Sequence, residues 1–323
     1  MSSRVFRKKK DKKGLFERFA ERLLPYDHMA LIYCWIIIVL TFNFARPIED
    51  FYVVLAFHFG VIALVCLLAI FLNDKTNRFA VFLRLLYPVI LMTFFYTTVG
   101  KLVHIVYPDF LDYQVINLER AVFGVSPTVW WDQHLNVIVT EIMSAGYFSY
   151  YFLIIGLSLV LIFNKRDAEI KRFMTATCAT FFISYLIFIF YPVEGPRHVF
   201  VDTYQNAITG PFFRQLVDYV ISNGAFRGGA MPSSHCGEAL VVTYFAIKVY
   251  GRRAWFLAVI LAILSISTVY GRFHYVSDVV VGYIIGIAAI WLTLYFYPLK
   301  KDRDKAEAAE ALKMSDRYAS RYY

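Results

Sequence analysis

Charge is scarce in this chain. Of its 323 residues 18% are Asp, Glu, Lys or Arg, 59% are hydrophobic, and mean hydropathy is +0.55. Soluble domains carry about 25% charged residues, and even a large soluble fold keeps much of its surface wet. A water-soluble globule is thereby excluded, and bilayer lipid is the alternative solvent. Cysteine is as sparse. Cys34, Cys66, Cys178 and Cys236 show no paired-loop spacing, and three of them lie inside apolar runs. That argues against a disulfide framework and excludes a CxxC metal knuckle. Internal repeats and low-complexity segments are missing as well, so a single membrane domain is the simplest parse. A cleavable signal peptide is not expected. The basic stretch Arg4–Lys13 runs into GLFERFAERLL (Gly14–Leu24), where charges interleave with Leu15, Phe16, Phe19, Leu23 and Leu24. This spacing predicts an amphipathic helix in the membrane interface, with a solvated basic tail and short helix as the alternative.

Long apolar runs are plentiful. Stretches of spanning length fall at 29–45, 51–72, 79–100, 143–163, 173–191, 235–250, 254–270 and 276–297. Eight spans put both termini on one side. The connections on that side carry Lys75 and Arg78, then Lys165, Arg166, Lys171 and Arg172, then Arg252 and Arg253, and the tail adds Lys300, Lys301, Arg303 and Lys305. Short basic loops in alternation identify the cytoplasmic side, so the net charge of +9 is a topology signal and no nucleic-acid partner is implied. The expected fold is an all-α integral membrane bundle of about six to eight spans. It divides into a basic N-terminus (1–28), N-terminal spans with an outer amphipathic loop (29–142), a C-terminal core (143–298) and a charged cytoplasmic tail (299–323). Within the outer loop, LDYQVINLERAVF (Leu111–Phe123) alternates polar and apolar residues at helical spacing, which predicts an interfacial helix.

Three polar clusters reach the outer face together: Glu194-Gly195-Pro196-Arg197-His198, Pro232-Ser233-Ser234-His235, and Arg272-Phe273-His274 with Asp278. Ionisable groups near lipid are costly, and one shared site explains three converging clusters better than three accidents. His274 and Asp278 are four apart at the start of a span, hence on one helix face. The carboxylate can accept from one ring nitrogen and leave the other with a free lone pair, the arrangement of a nucleophilic imidazole; a plain interfacial anchor is the bland alternative. The Pro-Ser-Ser-His segment follows Arg227-Gly228-Gly229-Ala230 and opens a helix whose N–H groups suit an anion. There Ser233 and Ser234 either cap the helix or bind phosphate, and His235 is placed as an acid for a leaving oxygen. Arg197, Arg227 and Arg272 match phosphate geometry, or else bind lipid head groups.

These residues resemble the type 2 phosphatidic acid phosphatase superfamily. Its second block, Pro-Ser-Gly-His, reads Pro232-Ser233-Ser234-His235 here, and its third, ending His-x-x-x-Asp, reads His274-Tyr-Val-Ser-Asp278, followed by Val-Val-Val-Gly282. The resemblance covers about 190–290. It implies His274 as nucleophile through a phosphohistidine, Asp278 as its orienter, His235 as general acid, and Arg197, Ser233 and Arg272 on the phosphate. The first block departs from the family: it reads Gly195-Pro196-Arg197, and Phe190 stands where the family has Lys. In the third, Thr268 occupies the usual arginine position. This variant is more similar to the inositol phosphorylceramide synthase-like branch, whose members transfer phospho-head groups between lipids.

The expected activity is therefore cleavage of a lipid phosphate on the extracytoplasmic face, without metal or cofactor. The acceptor is either water, giving a phosphatase, or a lipid or polyol alcohol, giving a transferase. A transporter is the alternative from another class. It predicts ionisable residues near span midpoints, for which Arg84 is the visible case. A serine hydrolase built on Ser233 or Ser234 lacks the strand–turn–helix elbow, and the vanadate haloperoxidases that share the histidine geometry are soluble.

Overall fold

The computed structural model describes residues 19–44, 50–72 and 78–299. Of the predicted amphipathic segment Gly14–Leu24 only residues 19–24 lie within them, and most of the Lys75 loop and the basic tail lie outside. Twelve α-helices and no strands are found among the described residues. They are α1 (Pro25–Asn43), α2 (Phe51–Phe71), α3 (Arg78–Gly100), α4 (Asp112–Phe123), α5 (Pro127–Asp132), α6 (Val137–Phe163), α7 (Asp167–Phe190), α8 (Pro196–Val199), α9 (Phe213–Gly224), α10 (Ser234–Tyr250), α11 (Phe256–Tyr270) and α12 (Val276–Phe296).

Each of the eight anticipated runs is a helix. Six of these (α1, α2, α3, α6, α7 and α12) are long and apolar enough to cross a membrane, so this is an all-α integral membrane protein. The remaining two, α10 and α11, have 17 and 15 residues. At about 1.5 Å per residue they span roughly 26 and 22 Å. The segment predicted as an interfacial helix is α4. The helices α5 and α8, of six and four residues, are too short to show a period, whereas α9 is amphipathic, with Val217 and Ile221 turned inward, and was not anticipated.

The long helix α7 is the hub, packing against α1, α3, α6, α10 and α12, with Phe173, Met174, Phe188 and Ile189 fully buried. Large apolar residues elsewhere face outward: Trp35, Phe94, Phe152 and Trp291 are all more than half exposed, as lipid-facing positions require. Arg84 does not line a path. It is buried at 2% exposure in an ion pair with Asp27, whose carboxylate also accepts from the Tyr87 hydroxyl. A buried charge held by a matched partner is a helix-to-helix tie, and it removes the feature that spoke for a transporter.

The helices α10 and α12 approach at backbone contact through Gly237, Gly282 and Gly286. A Cβ on Gly282 would collide with the Ser233 carbonyl oxygen, and one on Gly286 would come within 2.8 Å of the Gly237 oxygen. Small residues allow this approach, and the Ser233 N–H then donates to the Asp278 carbonyl at 2.9 Å. The first turns of α10 and α12, which carry His235 and Asp278, are thereby fixed side by side.

Candidate functional site

His274 leads into α12 from a turn of defined shape. Arg272 is left-handed, with φ of +64°, a conformation that costs a residue with a Cβ roughly 1 kcal/mol or more. The turn is held because the Thr268 carbonyl accepts from both Phe273 (2.9 Å) and His274 (3.1 Å). The guanidinium of Arg272 closes it from outside: its Nη2 donates to Asp132 and to the Asn206 carbonyl, and its plane stacks over Tyr204 at 3.7 Å. Its Nε is buried without an acceptor.

The imidazole of His274 is 4% exposed. Its Nδ1 lies 2.8 Å from the Ala230 carbonyl and 3.5 Å from Asp278 Oδ2. A carbonyl can only accept, so Nδ1 carries the proton and Nε2 of the neutral ring keeps its lone pair. The tautomer is the expected one, but the closer orienting group is Ala230. Asp278 Oδ2 instead accepts from the Tyr275 N–H at 2.7 Å and stands behind the ring as a buried charge.

His235 opens α10 and faces this ring, with centroids 5.6 Å apart. Its Nε2 is 3.2 Å from the Tyr147 hydroxyl, its plane packs on Tyr150 at 4.4 Å, and its Nδ1 is buried with no hydrogen-bond partner. Ser233 caps the helix, its hydroxyl accepting from Cys236 N–H at 3.4 Å. The N–H groups of Ser234 and His235, first in the helix, have no acceptor within it.

The remaining predicted cations divide. Arg197 is half-buried beside His198, with Nη2 3.3 Å from the His198 Nε2. Burial lowers its pKa from the ordinary value, and the nearby charge of Arg214 lowers it further. Arg227 is exposed and ion-paired with Glu194. Lys101, a further cation just beyond the end of α3, is paired with Asp50 on the surface.

Sequence reasoning missed Arg214. It lies on α9 with its guanidinium 5.7 Å from the centre of Phe273, which packs on Tyr147, and Asp218 fixes its fork through two hydrogen bonds, the Nε one at 2.9 Å. Missed too were three acids of the outer connection, Asp112, Glu119 and Asp132, each at most 5% exposed. Asp132 binds Arg272 and accepts from the Gln205 (2.9 Å) and Asn206 (3.2 Å) N–H groups. Asp112 accepts from Glu194 N–H (2.7 Å), Gly195 N–H (2.9 Å) and the Tyr275 hydroxyl (3.0 Å). Glu119 accepts from Val276 N–H (2.6 Å) and Ser277 N–H (3.3 Å). No local signal marks these acids; the seven-residue spacing of Asp112 and Glu119 on α4 reads equally well as a wet helix face, and Asp132 stands alone at the end of α5.

A PA-phosphatase related-family protein from Dictyostelium discoideum is 27% identical over 172 residues, covering 46% of this chain. The match spans only 30% of that relative's length. No solved structure matches. The model of the PAP2 superfamily matches residues 113–292, reaching upstream of the sequence motifs to take in nearly all of α4. By that match over more than half its length, the chain belongs to the PAP2 superfamily.

Proposed function

We propose that this protein cleaves the phosphoester of a membrane lipid phosphate, with His274 as nucleophile and His235 as general acid. The observation that carries the reading is the facing pair of imidazoles, one with its Nδ1 proton committed and Nε2 lone pair free. In the first step His274 Nε2 bonds to phosphorus as the bond to the leaving oxygen breaks, and His235 gives that oxygen its proton. His235, now neutral, then takes a proton from the acceptor, whose oxygen attacks phosphorus and frees His274. Arg197, Arg214, the Arg272 Nε and the first N–H groups of α10 are the donors for the equatorial oxygens. Ser233 shapes that helix start, Ser234 sits beside it, and the Asp278 carboxylate steadies positive charge on His274. Membership of the PAP2 superfamily supports phosphatase-type phosphoester chemistry. The basic connections at the opposite end of the bundle support an extracytoplasmic site with both termini cytoplasmic.

Two acceptors fit this chemistry. Water makes the protein a phosphatase, and a lipid or polyol alcohol makes it a head-group transferase of the inositol phosphorylceramide synthase type. Thr268 and Phe190, standing where the family has cations, favour the second. The test is mass-resolved product analysis of purified protein in lipid, using phosphatidate and phosphatidylinositol with and without ceramide. Inorganic phosphate alone supports the phosphatase, and a phospho-head group moved onto the alcohol supports the transferase. Inertness toward all lipid phosphates would overturn the enzyme reading.

The cations separate by a simple measurement. Arg214→Ala is expected to raise KM for the lipid phosphate about tenfold or more, the loss of one charge-assisted contact. Arg227→Ala, which removes an exposed guanidinium paired with Glu194, should change it less than about threefold. The reverse ranking would exchange their roles.

A further inference from the structure

Helix α4 is amphipathic the wrong way round for a soluble loop. Tyr113, Leu118, Val122 and Phe123 are all at least half exposed, whereas Asp112 and Glu119 are buried to 5% and 1% exposure. Between these acids, Val115 is buried against Val193, Phe200, Ala230 and Tyr275. Seven residues apart, the two carboxylates lie on one helix face two turns from each other. Burial pushes both above the ordinary carboxylate range, and their N–H and hydroxyl donors pull against that rise. Burying an acid is unfavourable unless it is hydrogen-bonded, and neither acid forms an ion pair with a Lys or Arg among the described residues. What their donors have in common is the chemistry of the site.

Asp112 takes the N–H groups of Glu194 and Gly195, so it holds the turn from which Arg197 projects. Its link to the Tyr275 hydroxyl ties that turn to the residue after His274. Glu119 takes the first two N–H groups of α12. It thereby fills the anion position that a free helix start would offer to a phosphate, and it fixes the height of the helix that follows His274.

We propose that α4 is a two-point clamp on the site, in which Asp112 positions the phosphate-binding Arg197 turn and Glu119 positions the nucleophile His274. Both are positioning residues, and the inference rests on the phosphoester reading above. It assigns them different kinetic constants. Asp112→Asn keeps the size of the side chain but puts an amide N–H against N–H donors. The Arg197 turn then shifts, and the expected result is a rise of about tenfold in KM and in the inhibition constant for inorganic phosphate, with kcat changed less than about threefold. Glu119→Gln loosens the start of α12 and moves His274. Misplacement of a reacting group by about 1 Å can cost 100-fold, so kcat should fall between 10- and 100-fold while phosphate still inhibits at nearly the wild-type concentration.

The experiment measures kcat, KM and phosphate inhibition for wild type and both variants in the same lipid preparation, with thermal unfolding alongside. The double dissociation, one variant losing binding and the other turnover, supports the clamp. Parallel loss of both constants in both variants, with lowered melting temperatures, overturns it in favour of plain structural support. Wild-type constants in either variant overturn it too. A wild-type protein that neither turns over a lipid phosphate nor is inhibited by phosphate would instead remove the underlying reading, an outcome distinct from failure of the clamp.

Discussion

His274→Ala is expected to lower lipid-phosphate turnover by about 10,000-fold or more, because it removes the atom that bonds to phosphorus. The structure gives that atom no substitute. The other ring, His235, faces the same space but has its Nε2 toward Tyr147, and no cysteine or carboxylate stands between the two rings among the groups described above. His235→Ala should behave differently. Its part is a proton delivered to the leaving oxygen, a contribution of about 100- to 10,000-fold with a poor leaving group. With a nitrophenyl phosphate, whose oxygen leaves without a proton, the His235→Ala deficit should shrink by at least tenfold while the His274→Ala deficit stays. Acid-labile label from a radioactive phosphate donor should accumulate on wild type and be absent from His274→Ala. Label on His274→Ala, or equal leaving-group sensitivity in both variants, would show that the roles are wrongly assigned.

Gly282→Val is expected to abolish activity by separating the helices rather than by touching the chemistry. A Cβ at Gly282 meets the Ser233 carbonyl group and has the Ser233 amide nitrogen only 3.4 Å away. Backbone cannot rotate aside as a side chain can, and Ser233 is pinned by its N–H bond to the Asp278 carbonyl. Overpacking a well-filled contact costs about 1–3 kcal/mol, and this case belongs at the upper end because the obstacle is main chain. The expected outcome is a lower melting temperature together with loss of turnover, since parting α10 from α12 also parts His235 from His274. Gly156→Ala provides the control: on α6 an added Cβ meets nothing within 4 Å, so stability and turnover should stay near wild type. A Gly282→Val protein that melts and turns over like wild type would mean that the helices do not cross as described.

Much of this was legible in the sequence. Spans announce themselves because lipid demands about twenty apolar residues in a row, and all eight runs are helices. His274 and Asp278 were legible because their four-residue spacing falls within about one turn of a helix, and His235 because it stands at a helix start behind a Gly-rich approach. The supporting frame was not. Asp112 meets Tyr275 across 163 residues of chain, Glu119 meets Val276 across 157, and Asp132 meets Arg272 across 140. Contacts of that separation leave no periodicity to read. The helix of Asp112 and Glu119 was visible, but polar residues on an interfacial helix are ordinarily wet, and here the acids turn inward while the apolar residues turn out. Ala230 was hidden for another reason: a backbone carbonyl orients His274, and carbonyls are invisible in a list of side chains. Arg214 had no motif around it and enters the site through the fold of α9.

The shortness of α10 and α11, roughly 26 and 22 Å against a hydrocarbon layer about 30 Å thick, sets where the histidines sit. A bundle with two members shorter than the layer around them either thins the bilayer locally or leaves its polar end sunk below the surrounding head groups. His235 lies in the first turn of one of these short helices, so its depth is that of the recess. On the proposed lipid-phosphate reading, substrate is then expected to arrive sideways, within the leaflet, and its mole fraction among the lipids is expected to govern the rate. Adding inert lipid dilutes such a substrate even when the amount per volume of solution is unchanged.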